Sequence, residues 1–585
     1  MKRLLLILTP FFLSALPYEL NFVGLKDDAA LKAMFDVSDL VTLQDRPPAS
    51  INGLRYRING DIPDLINVLH AFGYYDAAIT SDVTLEKHAV QVYLYIHPGP
   101  QYKLSSYEVF NQECTTLATS IPSCGTFTPE KLGLKLGAPA LSIDIVNAEL
   151  TLLTELARCG YPLASVEKRR IIVDMQDKVV EAAACIDEGP QAQFGPLSIH
   201  GLKSVKPCFI FRRLDWREGE IYSPDEVEQT QKSLLDSGLF SSVMISHESQ
   251  LDEMGQLPLK MRLTESKHKQ VSLGVFYATV DGPGATFAWT NRNLRGMGEI
   301  LSIDGEFSGR YLSGTVTYKK PDFFFLDQTY RILGQIERVR IHAYTALTYK
   351  GANYIDKKLD TRRNLSVGLE IEQIDVTNSA SNGNYLLIAL PVFAKYNTAD
   401  DLMNPTKGYS ITYQAQLFQS LENGYQRFAK QRLTTTFYIP LWSKWFVFAT
   451  RAQFGSIAGT RQKNVPLPIL FLGGSEDDLR GYRYMTVSPL NSHNKPYGGR
   501  SAVFLTGELR IRFTETLGIV PFADFGTVTF SELPELDAKW YKSAGIGLRY
   551  YTFFGPLRAD IGFPLDRRES IDPPFRIYAS IGQTF

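Results

Sequence analysis

From residue 267 to residue 585 the chain alternates apolar and polar side chains with a period of two, in segment after segment. In 446–454 one parity holds Phe446, Phe448, Thr450, Ala452 and Phe454, while the other holds Val447, Ala449, Arg451 and Gln453. In 501–513, Val503, Leu505, Leu509, Ile511 and Phe513 oppose Thr506, Glu508, Arg510 and Arg512. In 557–563, Leu557, Ala559, Ile561 and Phe563 oppose Arg558, Asp560 and Gly562. A strand segregates its faces in this way when it separates two media. One such segment also suits a soluble antiparallel sheet. Repetition over 319 residues predicts instead a closed transmembrane barrel. At about 20 residues per strand and turn, that length accommodates roughly sixteen strands. Closure also removes the open edges that lipid cannot hydrate.

The N-terminus fits this destination. Lys2 and Arg3 precede the apolar run 4–13, interrupted by Thr9 and Pro10, and Ser14 and Ala15 supply small residues for cleavage. Residues 1–16 therefore read as a secretory signal peptide, too short to span a bilayer as a helix. No later run of eighteen apolar residues predicts a transmembrane helix. The 61 basic and 62 acidic residues balance, which speaks against a nucleic-acid partner. Five cysteines, Cys114, Cys124, Cys159, Cys185 and Cys208, all precede residue 210. Export permits a disulfide, for which Cys114 and Cys124 are the nearest pair, and the odd count leaves a thiol over within a monomer. Their spacing is not that of a zinc site.

Residues 17–266 mix helical and strand periods, and one unit recurs. In its clearest copy a strand at 194–201 is followed by a helix at 224–236 with Val227, Leu234 and Leu235 on its apolar side. Ser237-Gly238-Leu239-Phe240 stops that helix, and strands at 243–246 and 258–264 complete the unit. Phe72-Gly73-Tyr74-Tyr75 and Cys159-Gly160-Tyr161-Pro162 repeat the punctuation, so Gly73, Gly160 and Gly238 lie 87 and 78 residues apart. The expected division is 17–101, 102–191, 192–266 and a barrel at 267–585.

Local motifs add a resemblance. The βααββ units resemble polypeptide-transport-associated (POTRA) domains. Arg292-Asn293-Leu294-Arg295-Gly296-Met297-Gly298 is similar to the loop after the first hairpin of the barrels that such domains precede. Tyr318-Lys319-Lys320-Pro321-Asp322-Phe323 resembles a periplasmic turn of those barrels, and Asn404-Pro405-Thr406-Lys407-Gly408-Tyr409 the start of another strand. Gly473-Gly474-Ser475-Glu476-Asp477-Asp478-Leu479-Arg480-Gly481-Tyr482 resembles the long loop that folds into the lumen with an Arg-Gly-aromatic tip. Together these resemble the POTRA/β-barrel outer-membrane insertases and translocators. Three repeats are most similar to the TamA type; the BamA type typically has five and two-partner secretion transporters two.

The resemblance implies a protein in the outer membrane, with its N-terminal domains in the periplasm. It implies that POTRA strands bind β-segments of unfolded outer-membrane or secreted clients, and that the barrel opens sideways between its first strand, about 270–279, and its last, 576–585. Outer-membrane lipid and an inner-membrane or periplasm-spanning protein are the other expected partners. It also implies that Arg480, within Leu479-Arg480-Gly481-Tyr482, pairs in the lumen with Glu508, Asp524 of Phe522-Ala523-Asp524-Phe525-Gly526, or both. Ile577, Ala579, Ile581 and Phe585 share one parity of the closing strand and resemble a C-terminal barrel signal, interrupted by Gln583. Gly582 either loosens that strand or fits a crowded bend. No ATP-binding loop, Gly-x-Ser-x-Gly or His-Glu-x-x-His is present, so neither catalysis nor a cofactor or metal is expected. A BamA-like core insertase and a dedicated secretion transporter are the alternatives within the family, and a passive pore or adhesin the alternative outside it.

Overall fold

The computed structural model describes residues 16–85, 90–117, 120–121, 124–278, 282–422, 426–535, 537–553 and 555–585. The expected leader thus lies outside the described residues except for Leu16, which donates its N–H to Pro48 O at 3.0 Å.

Three α/β repeats precede the barrel. The first comprises β1 (Tyr18–Val23), α1 (Asp28–Val37), α2 (Asp39–Thr42), α3 (Ile51–Ala71), β2 (Ala78–Leu85) and β3 (Val90–His97). The second comprises β4 (Lys103–Phe110), the small hairpin β5 (Ser120–Ile121) and β6 (Gly125–Thr126), α4 (Ser142–Arg158), β7 (Ser165–Asp174) and β8 (Val179–Asp187). The third comprises β9 (Gln193–His200), α5 (Pro207–Phe211), α6 (Pro224–Asp236), β10 (Phe240–His247) and β11 (Gln256–Glu265). Each repeat builds a three-stranded sheet around its last strand, in the orders β1-β3-β2, β4-β8-β7 and β10-β11-β9. The first strand of each repeat runs parallel to that central strand.

The recurring Gly-aromatic punctuation has a physical cause. Gly73 (φ +83°) and Gly160 (φ +94°) adopt the left-handed conformation just beyond α3 and α4. Gly73 N–H donates to His70 O and Tyr74 N–H to Leu69 O, while Gly160 N–H donates to Ala157 O and Tyr161 N–H to Leu156 O. These are paired Schellman closures, which satisfy the last helical carbonyls and leave an aromatic residue just past the stop. Each glycine carbonyl then accepts the N–H of the residue that opens the next repeat, Tyr102 or Ala192, at 2.8 Å. A Cβ at Gly160 would lie 2.7 Å from Ile221 Cγ2, so the joint admits no side chain there. Helix α6 occupies the expected span and buries Leu234, but Leu235 is exposed and not on its buried side.

Two disulfides differ from the nearest-neighbour expectation. Cys114 pairs with Cys185, and Cys124 with Cys159. The chain between β4 and α4 lies against the second repeat, so each cysteine meets a partner on the element beneath it, strand β8 or the C-cap of α4. Cys208 is a free, exposed thiol.

The barrel is a sixteen-stranded antiparallel sheet in sequence order. Its strands are β12 (Lys269–Ala278), β13 (Gly282–Asn291), β14 (Ile300–Ser308), β15 (Tyr311–Lys320), β16 (Gln328–Arg340), β17 (Thr345–Lys358), β18 (Arg363–Thr377), β19 (Gly383–Asn397), β20 (Gly408–Ser420), β21 (Arg427–Pro440), β22 (Phe446–Ala458), β23 (Ser501–Arg512), β24 (Leu517–Thr529), β25 (Tyr541–Thr552), β26 (Gly555–Pro564) and β27 (Arg576–Ile581). The burial of its faces is the reverse of a soluble protein's. Phe448, Phe454, Leu505, Leu557 and Phe563 are exposed, whereas Arg451, Glu508, Arg510, Arg558 and Asp560 are buried. The apolar parity therefore faces outward, where lipid makes exposure favourable. Among the described residues no helix is long and apolar enough to cross a membrane. Strands of 9 to 15 residues, apart from the six-residue β27, suit tilted crossings of about 9–11 residues.

Peptide mapping under non-reducing conditions should recover Cys114 linked to Cys185 and Cys124 linked to Cys159. Cys185→Ser should destabilise the second repeat by about 2–5 kcal/mol in a denaturant titration; recovery of a Cys114–Cys124 peptide would refute the pairing.

Candidate functional site: the lumen loop, the last strand and the repeat-proximal turns

The loop between β22 and β23 turns back into the barrel. Its hairpin is drawn together by mutual backbone hydrogen bonds between Gly473 and Val487, 2.9 Å each, and is shaped by the buried carboxylate of Asp478. Asp478 Oδ1 accepts from Gly474 N at 2.8 Å and Ser475 N at 2.7 Å, and Oδ2 accepts from Ser475 Oγ at 2.8 Å. This turn presents Leu479, Arg480, Gly481 and Tyr482, all buried, to the strands around them.

Arg480 is 1% exposed and meets three carboxylates. Its Nε and Nη2 donate to Asp524 Oδ2 and Oδ1 at 2.9 and 2.8 Å, a two-point fork. Its Nη1 donates to Glu508 Oε1 at 2.9 Å and to Asp560 Oδ2 at 3.1 Å. The guanidinium lies 3.3 Å from the centroid of the Phe522 ring. Both expected partners, Glu508 and Asp524, are thus brought to Arg480. Asp560 was missed, although its segment's alternation had already placed it on the polar parity. Arg510 and Arg549 complete the cluster by donating to Glu508 at 3.2 Å and Asp560 at 2.5 Å.

The rest of the motif is fitted as closely. Gly481 has φ +92°, and a Cβ there would lie 2.9 Å from Gly562 O. Its N–H donates to Tyr578 Oη at 2.8 Å, tying the loop to β27. Tyr482 Oη donates to Lys542 O at 2.7 Å, and Leu479 shares with Phe504 the space left by Gly526.

The closing strand departs from expectation. β27 ends at Ile581, and Gly582 adopts φ +94°. The nearest atom to a Cβ at this position, Met403 Cε, would be 3.8 Å away, so backbone conformation and not crowding calls for glycine. Ile577 and Ile581 face outward, but Phe585 does not continue their row. The tail turns into the lumen instead, where Phe585 O accepts from Arg510 Nη2 at 2.8 Å and its ring lies 6.3 Å from that of Tyr438. Thr584 Oγ1 donates to Glu508 Oε1 at 2.8 Å, and Arg549 Nε donates to Gln583 Oε1 at 2.8 Å. Gln583, which interrupts the apolar row, is therefore an interior side chain. Glu508 is shared by the loop arginine and the tail. The opening strand spans β12, with Thr279 of the expected span outside the described residues.

Segments Gly201–Arg213 and Leu234–Ser242 pack with the barrel as one compact unit. Glu265 Oε1 accepts the N–H groups of Lys203, Ser204 and Val205 at 2.7, 2.9 and 3.0 Å, and Oε2 accepts Ser204 Oγ at 2.6 Å. The two motifs Arg292–Gly298 and Tyr318–Phe323 prove to be turns. Gly296 O, between β13 and β14, accepts from Lys206 N at 2.8 Å. Asp322, between β15 and β16, accepts from Arg213 Nη2 at 2.6 Å. Gly408 begins β20. Burial pushes the Glu265 carboxyl up, but the Ser204 hydroxyl and the three N–H donors outweigh it and hold it at about 2, against an ordinary 4.5.

Two outcomes follow from these geometries. Arg480→Ala leaves the buried Asp524 without a cation and takes one of their arginines from Glu508 and Asp560, and should cost about 3–5 kcal/mol of barrel stability, read from the temperature at which the heat-modifiable gel band disappears. Arg480→Lys should recover only part, because an ammonium cannot form the fork to Asp524; wild-type behaviour of the alanine variant would refute the anchoring role. Because the folded Glu265 binds its proton more weakly than an unfolded glutamate, its contribution is complete above about pH 4.5 and fades as pH falls towards 2. Hydrogen exchange, corrected for intrinsic rates, should show protection of the Lys203–Val205 amides falling across that window, and Glu265→Gln should flatten the dependence.

Comparison with known proteins agrees with this architecture. The Omp85 superfamily domain matches residues 293–585. The outer membrane protein assembly factor BamA of Nitratidesulfovibrio vulgaris is 22% identical over 530 residues, covering 88% of this chain and 66% of the relative. BamA of Neorickettsia risticii is 21% identical over 392 residues, covering 62% of this chain and 51% of the relative. The chain thus spans from about half to just under two thirds of the length of these curated relatives. The crystal structure of BamA from Haemophilus ducreyi lacking POTRA domains 1–3 superposes with a TM-score of 0.70 at 18% identity, covering 82% of this chain and 100% of that one, a likeness of fold. With POTRA-like repeats followed by a sixteen-stranded barrel, this chain is an outer-membrane protein with its N-terminal domains in the periplasm, and it belongs to the Omp85 superfamily.

Proposed function

We propose that this protein assembles or translocates other proteins at the outer membrane, receiving client β-segments on its POTRA-like repeats (17–101, 102–191 and 192–266) and passing them to a barrel (267–585) that opens between β12 and β27. The observation that carries this reading is the seam. Every other pair of neighbouring barrel strands is joined by a ladder, yet among the described residues none joins β27 to β12. β27 has six residues, and Gly582 then takes the chain off the wall into the lumen. The backbone groups of β12 are thereby left to an incoming strand, which main-chain hydrogen bonding can accept with little regard to sequence.

The repeats support the receiving role. Each sheet leaves an edge strand open, and β10, Phe-Ser-Ser-Val-Met-Ile-Ser-His, carries no Asp, Glu, Lys or Arg along that edge. Charged residues are the usual device that keeps a sheet edge from pairing with another strand. β7, by contrast, carries Glu167, Lys168, Arg169 and Arg170. Clients are unfolded outer-membrane or secreted proteins, outer-membrane lipid is the medium, and the three-repeat plan suits a TamA-like factor working with an inner-membrane or periplasm-spanning protein. The assembly-factor name of the relatives favours a BamA-like core insertase as the second reading. Depletion would separate them, since loss of a core insertase lowers most barrel proteins and loss of a TamA-like factor only a subset.

A cysteine pair bridging β12 and β27, in a Cys208→Ser background, tests the seam. In liposomes the oxidised variant should insert an unfolded barrel client at least about tenfold more slowly than the reduced one, with reductant-treated wild type as control. Undiminished insertion by the locked barrel would refute lateral opening.

A further inference from the structure

At the end of the barrel away from the Arg292–Gly298 and Tyr318–Phe323 turns, a cavity of about 750 Å³ opens among Arg310, Arg340, His342, Arg483, Arg567 and Arg576. These residues come from distant parts of the chain. Arg310 lies in the turn between β14 and β15, Arg340 ends β16, and His342 follows it. Arg483 comes from the lumen loop, Arg567 from the loop between β26 and β27, and Arg576 opens β27. Among the described residues none of the five arginines forms an ion pair. The one carboxylate in the lining, Asp572, is already committed: Arg568 Nε and Nη2 donate to its two oxygens at 2.7 Å each, and Arg483 N–H adds 3.0 Å. The field in the cavity is accordingly positive. Burial depresses the His342 imidazole, and the charges of Arg483 and Lys495 depress it further.

Five guanidinium groups around one cavity repel each other unless an anion is present. Guanidinium groups present paired donors that match phosphate oxygens. The cavity is too large for one phosphate held by one fork, and its arginines stand on several segments around it. Phe575 and Ile577 line it as well and are exposed, so apolar surface adjoins the charged groups.

We propose that this cavity binds a ligand bearing two or more phosphate groups, presented as the headgroup of a lipid in the outer leaflet. Bound there, the headgroup bridges the outer ends of the early strands and of β27, drawing the two sides of the seam together through shared contacts. The binding does not rest on the assembly reading, because it concerns only the outer rim.

The full chain in nanodiscs of phosphatidylcholine, with and without the bisphosphorylated glycolipid lipid A, tests the proposal by native mass spectrometry and by heat-modifiability. Wild type should retain lipid A and unfold at a higher temperature with it. Arg483→Gln/Arg567→Gln should weaken retention at least about tenfold, and the corresponding Lys substitutions should preserve part of it. Both variants must show the heat-modifiable band, which separates loss of binding from loss of folding. Equal retention by wild type and the Gln variant would overturn the site. Inorganic pyrophosphate binding with lipid A ignored would overturn the lipid source, and hexa-aspartate displacing lipid A with equal affinity would overturn the phosphate assignment.

Discussion

A guanidinium held among carboxylates inside a barrel supplies a direction that apolar contacts alone do not. The lumen loop also buries Leu467, Phe471, Leu479 and Val487 in one cluster with Ile374, Leu387, Phe504 and Val528 of the wall, but apolar burial is non-directional. Charge-assisted hydrogen bonds add that orientation, since the fork of Arg480 on Asp524 fixes direction as well as distance. Because Glu508 also accepts from Thr584, the same carboxylate fixes the tail. Loop, wall and final residues are therefore coupled through a single acidic side chain, and removing one cation unsettles all three.

The repeat-proximal turns follow the same logic on a smaller scale. Glu265 gathers three consecutive amides, and Asp322 gathers two arginines with its side chain and carbonyl. Glu265, at the end of β11, accepts amides that would otherwise lack acceptors, and Asp322 sits in the turn between β15 and β16.

The barrel's strand faces were legible because lipid imposes a strict period of two, and the helix stops were legible because only a few residues close a helix in the left-handed conformation. The partners of Arg480 were half legible. Glu508 and Asp524 stood in recognisable segments, whereas Asp560 could be placed on the inner face but not at the depth of the loop tip, since alternation gives the face and not the height. The tail was misread for a related reason. Ile577, Ile581 and Phe585 keep a common parity, and only the positive φ at Gly582, which parity does not encode, sends Phe585 inward. The disulfides depended on how the excursion between β4 and α4 lies on the repeat, a tertiary matter that cysteine spacing does not carry.

Strand length varies around the wall in an ordered way. β12 to β15 have 9 or 10 residues and β26 and β27 have 10 and 6, while β18 and β19, opposite in the sequence order, have 15. The wall is thus lopsided, low on one flank and tall on the other. Where a wall falls short of the hydrocarbon thickness, each ångström of misfit costs a fraction of a kilocalorie per mole. Nine or ten tilted residues just suffice to cross the hydrocarbon, so the flank that ends in β27 has no height to spare, whereas β18 and β19 overhang by several residues.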